Sequence, residues 1–374
     1  MKGVILVENS FVHPYMPNSV PENKKAMLDE LGINSVEDIY KSIIPDELLY
    51  KERLDIPEPV RSEYELKRHV MGILNRDITT EEYTSFLGAG CYKHQVPAIC
   101  DEINSRGEFL TAYCGDTYSD HGKMQAIFEY TSMMGELLDT DVVSYTTYDG
   151  GQAVASSLRM AVRAVREKGM AGKVILVPKT MNPEIYSQVV QYCRNVAEVR
   201  KIAYEPETGL MDLEELKEQL AKKNVAAVFF ENPTYLGNFE TRGEEIAKLA
   251  HDAGAYCVVQ TEVAALGIME SPVNQGADIV CGDIQPLGMH IQFGGGQAGF
   301  IACNQNMDLV EQFPTYMYGI TETEKEDTYG WGRAMNYRSS HGSRENAKEY
   351  FGTETGLWAI TAGVDLASMG TQGM

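Results

Sequence analysis

From residue 142 onward the chain alternates between short apolar runs and longer amphipathic ones, and that rhythm restricts its fold more than any other feature. "VVSYTTYDGG" leads into "QAVASSLRMAVRAVREKG", "KVILVPK" into "PEIYSQVVQYCRNV", and "VAAVFFENP" precedes "RGEEIAKLAHDAG". "EVRKIAY" precedes "DLEELKEQLAKK", while "AYCVVQ", "ADIVCGD" and "QAGFIACN" are further apolar runs of strand length. Short runs of this kind suit strands buried on both faces, and the helix-period segments between them suit crossovers. Repeated β-then-α units predict an α/β fold with a largely parallel central sheet covered by helices.

The preceding residues read differently. "PENKKAMLDELG", "SVEDIYKSI" and "SEYELKRHVMGILNRD" are charged and helix-periodic, the second starting at a serine cap. They predict a helical arm over 1–84 that packs against a larger body or a partner. Glycine and aromatic residues then cluster in "SFLGAGCYKHQVPA" and "FLTAYCGDTYSDHG", before the long amphipathic helix of "KMQAIFEYTSMMGELLD". The α/β domain is expected over 85–330. The C-terminal segment 331–374 is expected to be short or truncated, and within the less regular residues 304–374 "YGWGRAMNYRSSHGSREN" reads as loop and "TETGLWAITAGVDLASMG" as a helix.

Composition removes several classes of function. A formal net charge of −22 leaves no basic surface for nucleic acid or an anionic membrane. No run is long and apolar enough for a membrane span, and the N-terminus lacks the apolar core of a signal peptide. The seven cysteines show neither CxxC nor Cys/His spacing, so reduced thiols of a cytoplasmic protein are expected, and no metal site.

Four places carry chemistry. Gly150 and Gly151 follow a strand and open a small-residue helix, where amides can hold an anion or simply make a tight turn. Asn232-Pro233 follows an apolar strand, at the end where open parallel sheets bind ligands. Gln260, Thr261 and Glu262 end another strand, Glu262 being either a pocket carboxylate or a helix cap. In "GDIQPLGMHIQFGGGQAGFIA", Gln285 and His290 flank a glycine-rich turn. His290 there is an acid–base candidate or a satisfied structural histidine.

In this order the four places resemble the large domain of pyridoxal-phosphate enzymes of the aspartate aminotransferase type, fold type I. Such enzymes hold their cofactor on a lysine. Here no lysine occurs between Lys248 and Lys325. "FLGAGCYKHQVPAICDEINSRGEFLTAY", "MQAIFEYTSMMGELLDTDVVSYTTYDGGQA", "EEIAKLAHDAGAYCVV" and "GADIVCGDIQPLG" narrow the likeness. Over nearly the whole chain the sequence resembles subunit 1, the alpha half, of two-subunit glycine decarboxylase, the P-protein of the glycine cleavage system.

That resemblance implies an aminomethyl-transferring glycine dehydrogenase, an oxidoreductase of glycine catabolism. The lysine and pyridoxal phosphate would belong to a beta subunit, in a heterodimer or an alpha2-beta2 heterotetramer, with a lipoyl H-protein as acceptor and a small amino acid as substrate. This chain would be inactive alone and would line part of the partner's active site. Its pocket or interface candidates are Tyr113, Cys114, Asp116, Tyr118, Ser119 and His121, with Tyr148, Asn232 and His290. Gly150, Gly151, Glu262 and Gln285 would be cofactor-binding residues, vestigial or acting across the interface. The loop "CGDTYSDHG" departs from the family's pattern and keeps two alternatives open: a paralogous subunit for another amino acid, or a non-catalytic scaffold.

Overall fold

A computed structural model describes residues 12–374 except 51, 53, 87–92, 111–116, 293–296, 340–341 and 352–353, and leaves out the side chains of 117–119. The chain divides into two units, Met1–Glu82 and Tyr83–Met374.

The first unit carries α1 (Pro21–Leu31), α2 (Glu37–Lys41) and α3 (Glu63–Leu74). Gly32 ends α1 in the left-handed conformation at φ 67°, which a residue without a side chain adopts freely. Ser62 caps α3 by accepting the Glu65 N–H. The serine cap expected for α2 is absent. Val36 precedes that helix, and the Asp38 carboxylate instead accepts from the N–H groups of Asn34 and Ser35. None of the described residues of this unit is buried.

The second unit begins with α4 (Ala98–Asn104) and α5 (Thr117–Leu138), followed by β1 (Val142–Val143), α6 (Gly150–Glu167), β2 (Val174–Pro178) and α7 (Pro183–Cys193). Next come β3 (Glu198–Ile202), α8 (Leu213–Leu220), β4 (Val225–Asn232), α9 (Gly243–Asp252) and β5 (Tyr256–Thr261). The chain continues through β6 (Ile279–Asp283), β7 (Gly299–Cys303), α10 (Met307–Val310), β8 (Met317–Glu322), β9 (Tyr329–Ala334) and α11 (Gly356–Gly373).

Seven of these strands form one sheet in the order β1-β7-β6-β5-β4-β2-β3. β3, β2, β4, β5 and β6 run parallel, while β7 and β1 join antiparallel at one edge. The α/β fold read from the alternating segments is therefore present, as is every strand named there.

Period-two alternation sorts the strand side chains onto two faces. Ile175, Val177, Phe229, Val258 and Ile279 pack in one buried layer with Val154, Leu158 and Ala161 of α6 and Val189 of α7. Val174, Leu176, Val228, Phe230 and Val259 pack in the other, with Ile127 and Tyr130 of α5, Leu216 of α8, Ile246 of α9 and Ile360 of α11. A sheet covered on both faces explains why its strands are continuously apolar.

One segment departs from expectation. Residues 329–334, read as loop, form β9, which pairs antiparallel with β8. Gly330 and Gly332 dilute the alternation that would mark a strand, and its pairing with the preceding strand reveals it. Trp331 N–H donates to His121 Nε2 at 2.7 Å, tying this hairpin to α5. The helix read at the C-terminal end is α11.

Phe229, fully buried in the α6-side layer, sets a test of this packing. Phe229→Ala is expected to lower the unfolding free energy by about 3–5 kcal/mol in urea titrations followed by circular dichroism. Ile268→Ala, at a position 86% exposed, should stay within about 0.5 kcal/mol of wild type.

Candidate functional site

Three parallel strands end at one cavity, at the carboxyl edge where open α/β sheets bind ligands. β4 ends in Glu231 and Asn232, β5 in Gln260 and Thr261, and β6 in Asp283. The N-terminus of α6 closes one side. The cavity measures about 370 Å³, within the size range of small-ligand sites.

Acid dominates its walls. Asp149, Glu184, Glu231, Glu262 and Asp283 line it, and His94 is the sole basic side chain among the described lining residues. Asp149 caps α6 by accepting the Gln152 N–H at Oδ1 (2.6 Å). The Gln152 side-chain oxygen accepts from Tyr148 N–H at 2.8 Å, so this helix start is held reciprocally. Asp283 takes the next amide: Gly150 N–H donates to its Oδ2 at 3.1 Å, while Gln285 N–H donates to Oδ1 at 2.7 Å. Glu231 accepts from the N–H groups of Asn182 (3.0 Å) and Tyr235 (3.3 Å).

Of these, Asp283, Glu231 and Glu262 are desolvated, and no lysine or arginine is among the described residues lining the cavity. Desolvation pushes the Asp283 carboxyl up to about 7, the Gln285 and Gly150 amides oppose that rise, and the charges of Asp149 and Glu262 add to it. Burial likewise raises Glu231 to about 7 against the pull of its two amides, and it raises Glu262. His94 is lowered by desolvation. Its Nε2 and the Gln260 side-chain oxygen are shielded from solvent and meet no hydrogen-bond partner among the described residues.

The two glycines at the start of α6 are needed for close packing. A side-chain carbon on Gly150 would lie 3.0 Å from the Asp283 Cβ, and one on Gly151 would lie 2.6 Å from the Gln188 amide. Protein atoms thus fill the space that a side chain at either position would need. Pyridoxal phosphate does not fit the described residues here: no lysine lines the cavity, and a phosphate at the α6 amides would meet Asp149 and Asp283.

The candidates from the sequence scatter. Gly150, Gly151 and Glu262 line the cavity, and Glu262 also caps the short helix over Val263–Gly267 through Ala264 N–H at 3.5 Å. Asn232 lies behind the wall: its buried side chain bonds the Glu240 backbone, and its peptide to Pro233 is cis. Gln285 is buried and donates to Met289 O at 2.9 Å, bracing the turn. His290 pairs with Asp101 at 3.0 Å, outside the cavity. Tyr148 stacks on Phe351 with centroids 6.2 Å apart. His121 accepts from Trp331. Tyr113, Cys114 and Asp116 lie outside the described residues, as do the side chains of Tyr118 and Ser119 and the glycines 294–296.

Asp149, Glu231 and Asp283 were missed as site residues. Each had a positional signal, as the residue before Gly150-Gly151 or at the polar end of an apolar strand. The five described cysteines are free and buried, and burial pushes Cys193, Cys281 and Cys303 up to about 12. Among the described residues no acidic, histidine or cysteine group is arranged to hold a metal ion, and no helix is long and apolar enough to cross a membrane.

Comparison with known proteins places this geometry. The family model described as "Glycine cleavage system P-protein" matches residues 13–374. A "Probable glycine dehydrogenase (decarboxylating) subunit 1" of Pyrococcus horikoshii is 36% identical over 362 residues, covering 96% of this chain and 78% of that protein. The protein of the same name from Carboxydothermus hydrogenoformans is 36% identical over 361 residues, with the same coverage of 96% and 78%. A crystal structure of inhibitor-bound glycine decarboxylase (P-protein) of the glycine cleavage system superposes with a TM-score of 0.81 at 30% identity, covering 97% of this chain and 78% of that one. Sphingosine-1-phosphate lyase of Burkholderia pseudomallei, at 13% identity and a TM-score of 0.54, shares the fold alone.

The raised carboxyls give a stability profile with a definite sign. Near pH 4 the folded Asp283 and Glu231 keep protons that the unfolded chain begins to release, so stability falls as pH rises toward about 7, then levels. Urea unfolding between about pH 5 and pH 8 should show this decline, and Asp283→Asn or Glu231→Gln should each flatten it. A profile that is level in wild type and unchanged in both variants would rule the assignment out.

Proposed function

Because this chain belongs to the glycine cleavage system P-protein family, we propose that it is the lysine-free alpha subunit of a two-subunit glycine decarboxylase. The single observation that supports this most is the combination of a family match over residues 13–374 with an aminotransferase-type cavity that has no lysine among its described lining residues and is lined by carboxylates. Pyridoxal phosphate then resides on a beta subunit, where it supplies the electron sink for decarboxylation. This chain shapes the partner's pocket and docks other proteins, a lipoyl H-protein among them.

The N-terminal unit supports a two-chain assembly. It leaves Ile43, Leu48, Tyr50 and Ile56 more than 60% exposed, an apolar surface that suits a partner subunit. For the reacting end we propose the segment containing Tyr113, Cys114, Asp116, Tyr118, Ser119 and His121, with Tyr148, Asn232 and His290 as further interface candidates. The altered "CGDTYSDHG" sequence favours a second reading, in which the same assembly processes another amino acid.

The test reconstitutes this chain with a lysine-bearing beta chain and a lipoyl acceptor and follows carbon dioxide release from carboxyl-labelled glycine. The pair should release it and this chain alone should not. Release by this chain alone would refute the division of labour. Release from a different amino acid in its place would select the second reading. Tyr113→Ala and Asp116→Ala should lower the pair's rate roughly 10- to 100-fold, the scale for a misplaced positioning group. Unchanged rates would make this chain a scaffold.

A further inference from the structure

The start of α6 has the two properties of an anion site, free backbone amides and a positive helix end. In this chain two of the amides are already used, each by a carboxylate placed at the positive end. Gly150 N–H points at Asp283 Oδ2 (3.1 Å) and Gln152 N–H at Asp149 Oδ1 (2.6 Å). Asp283 comes from the end of β6, far along the sequence, and its second oxygen is held by Gln285 N–H at 2.7 Å. Its carboxylate is therefore fixed by amides from two elements. Its Cβ stands where any side chain on Gly150 would have to go. Glu231, Glu262 and Glu184 extend the negative lining away from this point.

We infer that Asp283 is a built-in anion plug: its carboxylate occupies the amide cradle at the start of α6, so that this chain excludes a phosphate by both charge and space. The inference deepens the proposed division of labour, and rests on it for the identity of the excluded group as the cofactor's phosphate. Two chains of one fold in one assembly would otherwise offer the cofactor two similar phosphate cradles. Losing the lysine removes the covalent attachment only, whereas a carboxylate in the cradle also removes the non-covalent anchor. Asp283 is thus a specificity determinant for where the cofactor settles.

The test uses the full chain without a partner. Binding of inorganic phosphate and of pyridoxal phosphate is measured by calorimetry and by cofactor fluorescence near neutral pH, with pyridoxal as the control lacking phosphate. Wild type should bind neither anion. Asp283→Ser opens the cradle and should bind both at least about tenfold more tightly than wild type, with no gain for pyridoxal. Asp283→Asn keeps the shape and removes the charge, and should show a smaller gain that is still measurable. Circular dichroism and thermal unfolding establish that each variant is folded. If folded Asp283→Ser binds no better than wild type, the plug is overturned while the division of labour stands. If Asp283→Ser does not fold, wild-type affinity in Asp283→Asn overturns it. If wild type itself binds pyridoxal phosphate tightly, both readings fall.

Discussion

The hydrogen bond from Gly150 N–H to the Asp283 carboxylate joins the last parallel strand of the sheet to the first turn of the helix that crosses it. α6 is buried along most of its length and packs over several strands, so its start has to be placed by something stronger than apolar contact. Packing is non-directional, whereas a charge-assisted hydrogen bond fixes an orientation. With Asp149 capping the same helix and Gln285 steadying Asp283, one local network sets the helix start and, beside it, the mouth of the cavity. The acidity of the cavity follows from this arrangement.

That network is also an electrostatic commitment. Burial raises the proton affinity of Asp283, Glu231 and Glu262, the charges of Asp149 and Glu262 raise that of Asp283 further, and further negative charge is disfavoured. A cavity with the position and size of a cofactor site therefore has the wrong sign for a phosphorylated cofactor. The fold is that of the family, and a few side chains at strand ends set the sign of its cavity. Such residues line a cavity without contributing to the apolar layers, so they are free to vary while the architecture persists.

Much of the fold was legible in the sequence and less of the site. The apolar runs of β2, β4, β5, β6 and β7 announced themselves because strands covered on both faces need apolar side chains at every position. The hairpin of β8 and β9 did not, because Gly330 and Gly332 interrupt its pattern and its tie to α5, from Trp331 to His121, spans a stretch of sequence that no local pattern reads. Among the candidates, Gly150, Gly151 and Glu262 reached the cavity. His290 and Gln285 went instead to a neighbouring carboxylate and to a backbone turn, since a polar side chain takes whichever partner is close.

By itself the sequence determined the α/β class, the covered parallel sheet, the family, and the absence of a lysine between 248 and 325. The class and the sheet follow from period, the missing lysine from a count, and the family from the likeness of whole segments; none needs knowledge of what lies beside what. Only the tertiary structure decided that Asp283 meets Gly150, residues separated by 133 positions, and that Glu231 and Glu262 share their cavity. Charge sign within a cavity depends on distances between segments remote in sequence. Periodicity carries no such distances, and the folded sheet supplies them.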